Sequence, residues 1–155
     1  VYAFTILLPL IAIYLFRRVN GWGFGAFRDR RKRFVPYILT IICYVACLVM
    51  MARMSLPRYM TGIIVASLLA MIICILANLK WKISEHMTGM GGVVGGLIAF
   101  SFMFNYNPTI WLCLFILLAG ALGSARILLK HHTLSEVLIG FLVGLICATM
   151  GILYL

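Results

Sequence analysis

Long uncharged, mainly apolar segments alternate with short charged segments along the chain. A helix needs about 20 residues to cross the hydrocarbon core of a bilayer, with a range of roughly 17–25. The uncharged runs that approach or exceed this length are Val1–Phe16, Phe34–Ala52, Tyr59–Leu79, His86–Ala125 and Val137–Leu155. The pattern therefore predicts transmembrane helices joined by short connections.

The run His86–Ala125 is long enough for two spans, and a turn signal divides it. Asn107 is a helix-capping residue type, and Pro108 is favoured at a first helical position. We therefore predict an all-α polytopic membrane protein with six transmembrane helices, forming a single domain over residues 1–155. Val1–Phe16 is slightly short and begins with Val, so we expect processing or an upstream N-terminal segment. The run lacks the features of a signal peptide.

Composition supports a membrane protein. Hydrophobic residues make up 65% of the chain and charged residues 10%, whereas soluble domains are about half apolar and about one quarter charged. This excludes a water-soluble globule, a disordered chain and a free nucleic-acid-binding domain. All five cysteines lie within the apolar runs, so we expect them to pack as small hydrophobic side chains.

The charged residues are unevenly distributed between the two predicted membrane faces. Successive spans alternate in direction, and we call face X the one that receives the connections 17–33, 80–85 and 126–136. Eleven of the 13 basic residues, all three acidic residues and all three histidines fall on face X. The positive-inside rule accounts for the basic residues but not for the histidines. Face X is therefore predicted to carry the functional site.

Small residues recur at four-residue spacing in the last three predicted spans. Such residues let helix backbones approach closely in lipid. We therefore expect these three spans to form a tight bundle, with the small residues Gly91/Gly95, Gly92/Gly96, Gly120/Ser124 and Gly140/Gly144/Ala148.

The connection before the last span combines an imidazole, a carboxylate and a guanidinium group. His132 and Glu136 are four residues apart and would be neighbours on a helix. A carboxylate that bonds one imidazole nitrogen orients the ring and raises the basicity of the other nitrogen. Arg126 adds a planar fork suited to phosphate oxygens. Alternatively, Thr133 and Glu136 form a capping box, and Glu136 is purely structural.

A second connection on face X adds Lys82, Ser84 and His86. Ionisable groups at the mouth of a membrane span are functional candidates. Two histidines with cations and a carboxylate suit phosphoryl transfer, in which one histidine attacks phosphorus and the other protonates the leaving oxygen. A metal site that includes His131 is disfavoured, because adjacent histidines rarely point the same way and no catalytic zinc spacing is present.

A dense basic cluster covers residues 28–33 on the same face. Two interpretations stay open. The cluster contacts anionic lipid or serves as a topology signal, or one or two of its side chains, such as Arg33, reach the site and bind phosphate.

These motifs resemble those of the type 2 phosphatidic acid phosphatase (PAP2) superfamily. That family has six spans and the pattern K-x6-R-P, P-S-G-H and S-R-x5-H-x3-D. This chain has Ile-Ser-Glu-His at 83–86 and Ala-Arg-x5-His-x3-Glu at 125–136. Its segment Asp29–Tyr37 also resembles the D-R-x-x-R-x-x-P-Y loop of small PAP2-like proteins of Bacteroidetes. The resemblance implies a PAP2-like bundle of six helices in a bacterial inner membrane.

The resemblance also implies an activity and a set of site residues. The family hydrolyses lipid phosphates or diphosphates without a metal or other cofactor, so the implied partners are membrane lipids and a lipid or isoprenoid phosphate, with no role for nucleic acid. His132 would be the nucleophile that forms a phosphohistidine, Glu136 its orienting partner and His86 the general acid. The phosphate-binding residues that match the family motifs would be Ser84 and Arg126, and the basic residues of face X add Lys82 and Arg33 as further candidates for binding phosphate.

The chain departs from the family pattern at several positions. Ile83 and Glu85 replace the Pro and Gly of the second motif, Ala125 replaces the Ser of the third, and K-x6-R-P is absent. These departures favour an alternative, a catalytically degenerate PAP2-like membrane protein that binds anionic lipid or a partner. The location of the site also stays open, because the charge distribution favours the cytoplasmic side and the family resemblance favours the periplasmic side.

Overall fold

The computed structural model describes residues 3–19, 30–54, 56–78 and 80–154, and every regular element within these ranges is helical. The chain divides into two compact units, Val1–Leu56 and Pro57–Leu155. The prediction of an all-α protein is therefore confirmed for the described residues.

The first unit contains two α-helices. A π-helical segment, Ala3–Leu7, continues directly into α1, Leu8–Val19, and α2 covers Arg30–Arg53. These helices pack against each other. On α2, Cys43, Cys47 and Met51 recur every four residues and are buried, so the two thiols pack as small hydrophobic side chains.

The second unit contains four helices, which are α3 (Arg58–Asn78), α4 (Glu85–Phe104), α5 (Thr109–Leu128) and α6 (Leu134–Tyr154). Asn105 ends α4 in the left-handed conformation with φ 48°. The Oδ1 atom of Asn107 accepts the backbone N–H of Thr109 at 3.1 Å. The predicted turn is confirmed, although Pro108 lies just before α5 and not at its first helical position.

The four helices of the second unit are each long and apolar enough to cross a membrane. Their 20 or 21 residues correspond to about 30 Å of helix, the thickness of a bilayer core. Within the described part of the first unit, the apolar helical segments Thr5–Phe16 and Tyr37–Arg53 are shorter. The helices indicate an integral membrane protein, and four of the six predicted spans meet the length and composition of a transmembrane helix.

Helices α4 and α6 run in the same direction and approach each other at glycines. A Cβ atom on Gly91 would overlap the carbonyl of Phe141, and one on Gly144 would overlap the carbonyl of Thr88. A Cβ on Gly95 would lie 3.0 Å from the Leu145 Cα. The small-residue spacing thus correctly predicts close contact between these two helices.

The tight bundle differs in one respect from the prediction. Gly92 and Gly120 face open space, since a Cβ on either would have nothing within 4 Å. Close packing instead extends to α3, where a Cβ on Gly62 would lie 2.6 Å from the Gly151 carbonyl oxygen. Gly120, the glycine of α5 predicted to pack tightly, does not face a neighbouring backbone. The close-packed helices are therefore α3, α4 and α6.

Candidate functional site

Two connections meet at the end of the second unit where α4 and α6 begin. The Nδ1 atom of His132 lies 3.0 Å from the carbonyl oxygen of Lys82. The Lys82 ammonium donates to the carbonyl of His131 at 3.4 Å. The backbone N–H of Ser84 donates to the carbonyl of Glu136 at 3.4 Å. The fold therefore brings the two predicted motifs together through direct contacts.

The turn after α5 holds the histidines against the end of that helix. Lys130 has φ 53°, and its N–H donates to the Ile127 carbonyl at 2.9 Å. The carbonyl of Arg126 accepts the N–H groups of His131 at 3.1 Å and His132 at 3.4 Å. This is the Schellman pattern of helix termination, in which glycine usually occupies the left-handed position. We call the segment that contains His131 and His132 the histidine loop. Its backbone is consequently anchored to the last turn of α5.

The ring of His132 is oriented by two acceptors. Its Nδ1 atom lies 3.0 Å from the Oε2 atom of Glu136 and 3.0 Å from the Lys82 carbonyl oxygen. A carbonyl oxygen and a carboxylate both accept, so Nδ1 carries the hydrogen that they share. In the neutral ring, the lone pair is then on Nε2. The side chain of His132 is 10% exposed and that of Glu136 is 25% exposed, so the pair is held at the edge of the fold.

Glu136 also forms the capping box of α6. Its Oε2 atom accepts the Thr133 N–H at 3.2 Å, and its own N–H donates to the Thr133 Oγ1 at 3.4 Å. The two interpretations drawn from the sequence therefore describe the same carboxylate. Because one oxygen serves both partners, the helix cap also holds the carboxylate in position against the His132 ring.

Ser84 occupies the cap position of α4 without capping it. Its backbone is extended, with φ −81° and ψ 103°, and the residue is completely buried. Within the described part of the chain, its Oγ atom caps no N–H group and has no hydrogen-bond partner. A Cβ on Gly140 would lie 2.8 Å from the Ser84 carbonyl and 3.1 Å from the Ile83 Cγ2 atom. Glycine at 140 is what allows this segment to cross α6.

Two other predicted site residues, His86 and Arg126, differ in their exposure. His86 is exposed on the first turn of α4, and Arg126, Glu85 and His132 are near enough to influence its ring electrostatically. Arg126 is half-buried in the last turn of α5, where a cation is stabilised by the helix dipole.

The side chain of Arg33, together with residues 20–29 of the basic connection, lies outside the described part of the structure. Among the described residues, no group of three or more His, Cys, Asp or Glu side chains is arranged to hold a metal ion.

Asn78 is a polar residue near the site that the sequence motifs do not include. It ends α3 and is 5% exposed, and its Nδ2 atom has no hydrogen-bond partner among the described residues. One turn earlier on α3, the Sγ of Cys74 lies 3.5 Å from the Oγ1 of Thr88. The available sequence signal is a single amide at the end of a mainly apolar helix.

Comparisons of the chain with protein-family models, with curated proteins and with solved structures give no match. The geometry supplies an oriented imidazole, a second imidazole on the same end of the unit and a guanidinium group within electrostatic range.

Proposed function

We propose that the chain is a PAP2-type phosphatase of the bacterial inner membrane that hydrolyses a lipid or isoprenoid phosphate monoester or diphosphate. The observation that carries this proposal is the pair of acceptors on the Nδ1 atom of His132. They leave Nε2 as the nucleophilic nitrogen, and the Glu136 carboxylate balances the charge that the ring gains when it attacks.

In the first half-reaction, Nε2 of His132 attacks phosphorus and forms a P–N bond. The P–O bond to the leaving group breaks, and protonated His86 donates its proton to the departing oxygen. Arg126 and Lys82 balance the negative charge of the phosphoryl oxygens. The products of this step are the released alcohol, or phosphate monoester from a diphosphate, and a phosphohistidine.

In the second half-reaction, water attacks the phosphohistidine. Neutral His86 accepts the proton of the water, the P–N bond breaks and its electron pair returns to Nε2 of His132. Inorganic phosphate leaves, and both histidines regain their starting protonation states. The two steps together consume one water and one phosphate ester.

Phosphate release by the purified full chain in detergent tests this proposal, with phosphatidic acid and farnesyl diphosphate as substrates. His132→Ala and His86→Ala should each lower turnover by about 10²-fold or more. The matched control is His131→Ala, because this neighbouring histidine is exposed and should leave turnover near the wild-type value. Wild-type release no faster than that of His132→Ala would contradict the proposal. Lipid-phosphate binding without turnover would support the degenerate alternative.

A further inference from the structure

The facing surfaces of α3 and α4 carry polar side chains at successive levels. The Sγ of Cys74 lies 3.5 Å from the Oγ1 of Thr88. Asn78 follows Cys74 by four residues, and Ser84 precedes Thr88 by four. Residues four apart lie on one face of a helix, and α3 and α4 run in opposite directions. This spacing puts Asn78 and Ser84 at the next level along the two helices, on the side of the histidine loop, and makes them the next pair.

Both members of this pair are buried, and each has an unpaired side-chain atom within the described part of the chain. Asn78 is 5% exposed and Ser84 is 0% exposed, and neither the Nδ2 of Asn78 nor the Oγ of Ser84 has a partner within the described residues. Buried polar side-chain atoms are bonded in the large majority of cases, and leaving one unpaired destabilises a fold. Two unpaired atoms at one level indicate an acceptor that both would share.

The chemistry of the pair defines what this acceptor is. The Asn78 Nδ2 only donates, and the Ser84 hydroxyl donates as readily as it accepts. The pair lies where α4 begins, and a helix N-terminus favours a negatively charged oxygen through its dipole. Ser84 has a residue type and backbone suited to capping but makes no cap bond among the described residues, so the start of α4 does not use its hydroxyl.

We propose that Asn78 and Ser84 together bind one phosphoryl oxygen of the ligand, which makes Asn78 a specificity-determining residue of the site. The class of ligand rests on the proposed function, but the inference concerns binding and not turnover. Arg126 balances the charge of the phosphoryl group. The amide of Asn78 is neutral, so it binds an oxygen by a directed hydrogen bond and does not balance its charge. Asn78 therefore recognises the position of one oxygen.

Orthovanadate binding to the purified full chain in detergent tests this inference, because vanadate presents the tetrahedral oxyanion without a lipid. Asn78→Leu removes the amide at similar side-chain size and should weaken vanadate binding about tenfold. Ser84→Ala should have a similar effect. The double variant should deviate from the product of the two single effects, because both residues contact one oxygen. Ser67→Ala on α3, which removes a hydroxyl bonded to the Ile63 carbonyl, is the matched control and should bind vanadate normally.

Thermal unfolding without vanadate separates ligand binding from a structural role. Asn78→Leu should raise the unfolding temperature, because it removes a buried donor that lacks an acceptor. A lower unfolding temperature with unchanged vanadate binding would overturn the inference. Asn78→Asp keeps the shape, replaces the donor with a carboxylate and should weaken vanadate binding more than Asn78→Leu does. It therefore provides the test where the leucine variant fails to fold, and wild-type vanadate affinity in Asn78→Asp would overturn the inference.

A third result distinguishes the oxyanion from the rest of a lipid headgroup. An effect of Asn78→Leu on micelles containing phosphatidic acid, with none on vanadate, would assign Asn78 to the glycerol and overturn the inference. Failure of the proposed function appears separately, as absent phosphate release by the wild type. Weaker vanadate binding by the Asn78 variants would support the inference whether or not the wild type turns over substrate.

Discussion

The carboxylate of Glu136 is shared between the helix cap and the imidazole through a single oxygen, so its two roles are separable only by matched substitutions. Glu136→Gln retains an oxygen that accepts the Thr133 N–H but removes the negative charge beside His132. We expect phosphate release to fall by about 10²-fold or more, because the ring loses the counter-charge that stabilises its attacking form. Steady-state phosphate release and thermal unfolding in detergent provide the two measurements.

Thr133→Ala is the matched control for this substitution. It removes the hydroxyl that accepts the Glu136 N–H and should cost about 1 kcal/mol of stability. Its turnover should stay close to the wild-type value, because the carboxylate and the His132 ring remain. If Thr133→Ala loses as much turnover as Glu136→Gln, the activity depends on the cap and the orienting role of Glu136 is wrong.

For individual residues, the sequence predicts those contacts that join residues close together in the chain. Thr133, Glu136 and His132 lie within five residues, so both the cap and the imidazole contact follow from helical spacing. The second acceptor on His132, the carbonyl of Lys82, is 50 residues away in the chain. The burial of Asn78 likewise depends on how α3 packs against α4. Neither feature has a local signature, since backbone carbonyls are present at every residue and polar burial depends on tertiary packing.

Among the helices, the parallel contact between α4 and α6 positions the two motifs, and its closest approaches are at glycines. Gly144→Ala should destabilise the protein by about 1–3 kcal/mol, because its methyl group would overlap the Thr88 carbonyl and force the helices apart. Phosphate release should also fall, since Thr88 follows Ser84 by one turn. Unfolding in detergent and turnover provide the two readouts.

Gly92→Ala is the matched control on α4, because a Cβ there would have nothing within 4 Å. It should be neutral or stabilising by about 0.5–1 kcal/mol, since alanine favours a helix more than glycine does. Equal destabilisation by the two variants would show that the contact at Gly144 does not determine stability.

Glycine spacing predicts that helices approach closely but does not identify which helices. Gly91 and Gly92 begin overlapping motifs of equal spacing, yet only Gly91 faces α6. One residue is a rotation of about 100° around a helix axis, and which face meets a neighbour is set by the whole bundle. The turn at Asn105–Pro108 was predictable, in contrast, because its capping chemistry is contained in four consecutive residues.

For the molecule as a whole, helix lengths determine which connections share a membrane face. The 20 residues of α5 extend about 30 Å, which is long enough to hold its two flanking turns on opposite sides of a bilayer. In a variant without native cysteines, Asn107→Cys and Lys130→Cys should therefore react with a membrane-impermeant thiol reagent from opposite sides of intact cells. Reaction of both from one side would contradict a membrane-spanning α5.

The same labelling experiment decides where the site faces. Labelling of Lys130→Cys in intact cells would place the histidines on the periplasmic side, as the PAP2 resemblance implies. Labelling only after the membrane is permeabilised would place them in the cytoplasm, as the charge distribution implies. Total charge cannot distinguish these cases, because a phosphate-binding site is basic on either side and adds to the count that the positive-inside rule uses.

The carbonyl of Arg126, which accepts the N–H groups of both His131 and His132, links the backbone of these histidines to the local opening equilibrium of α5. Helix ends open more readily than helix centres. When the last turn of α5 opens, Arg126 loses its place and the backbone of His132 loses its anchor in the same event. For the proposed phosphatase, the population of this open state would set a lower limit on the fraction of molecules that are inactive at any moment. Stabilising the end of α5 would then increase the active fraction without any change to the reacting groups.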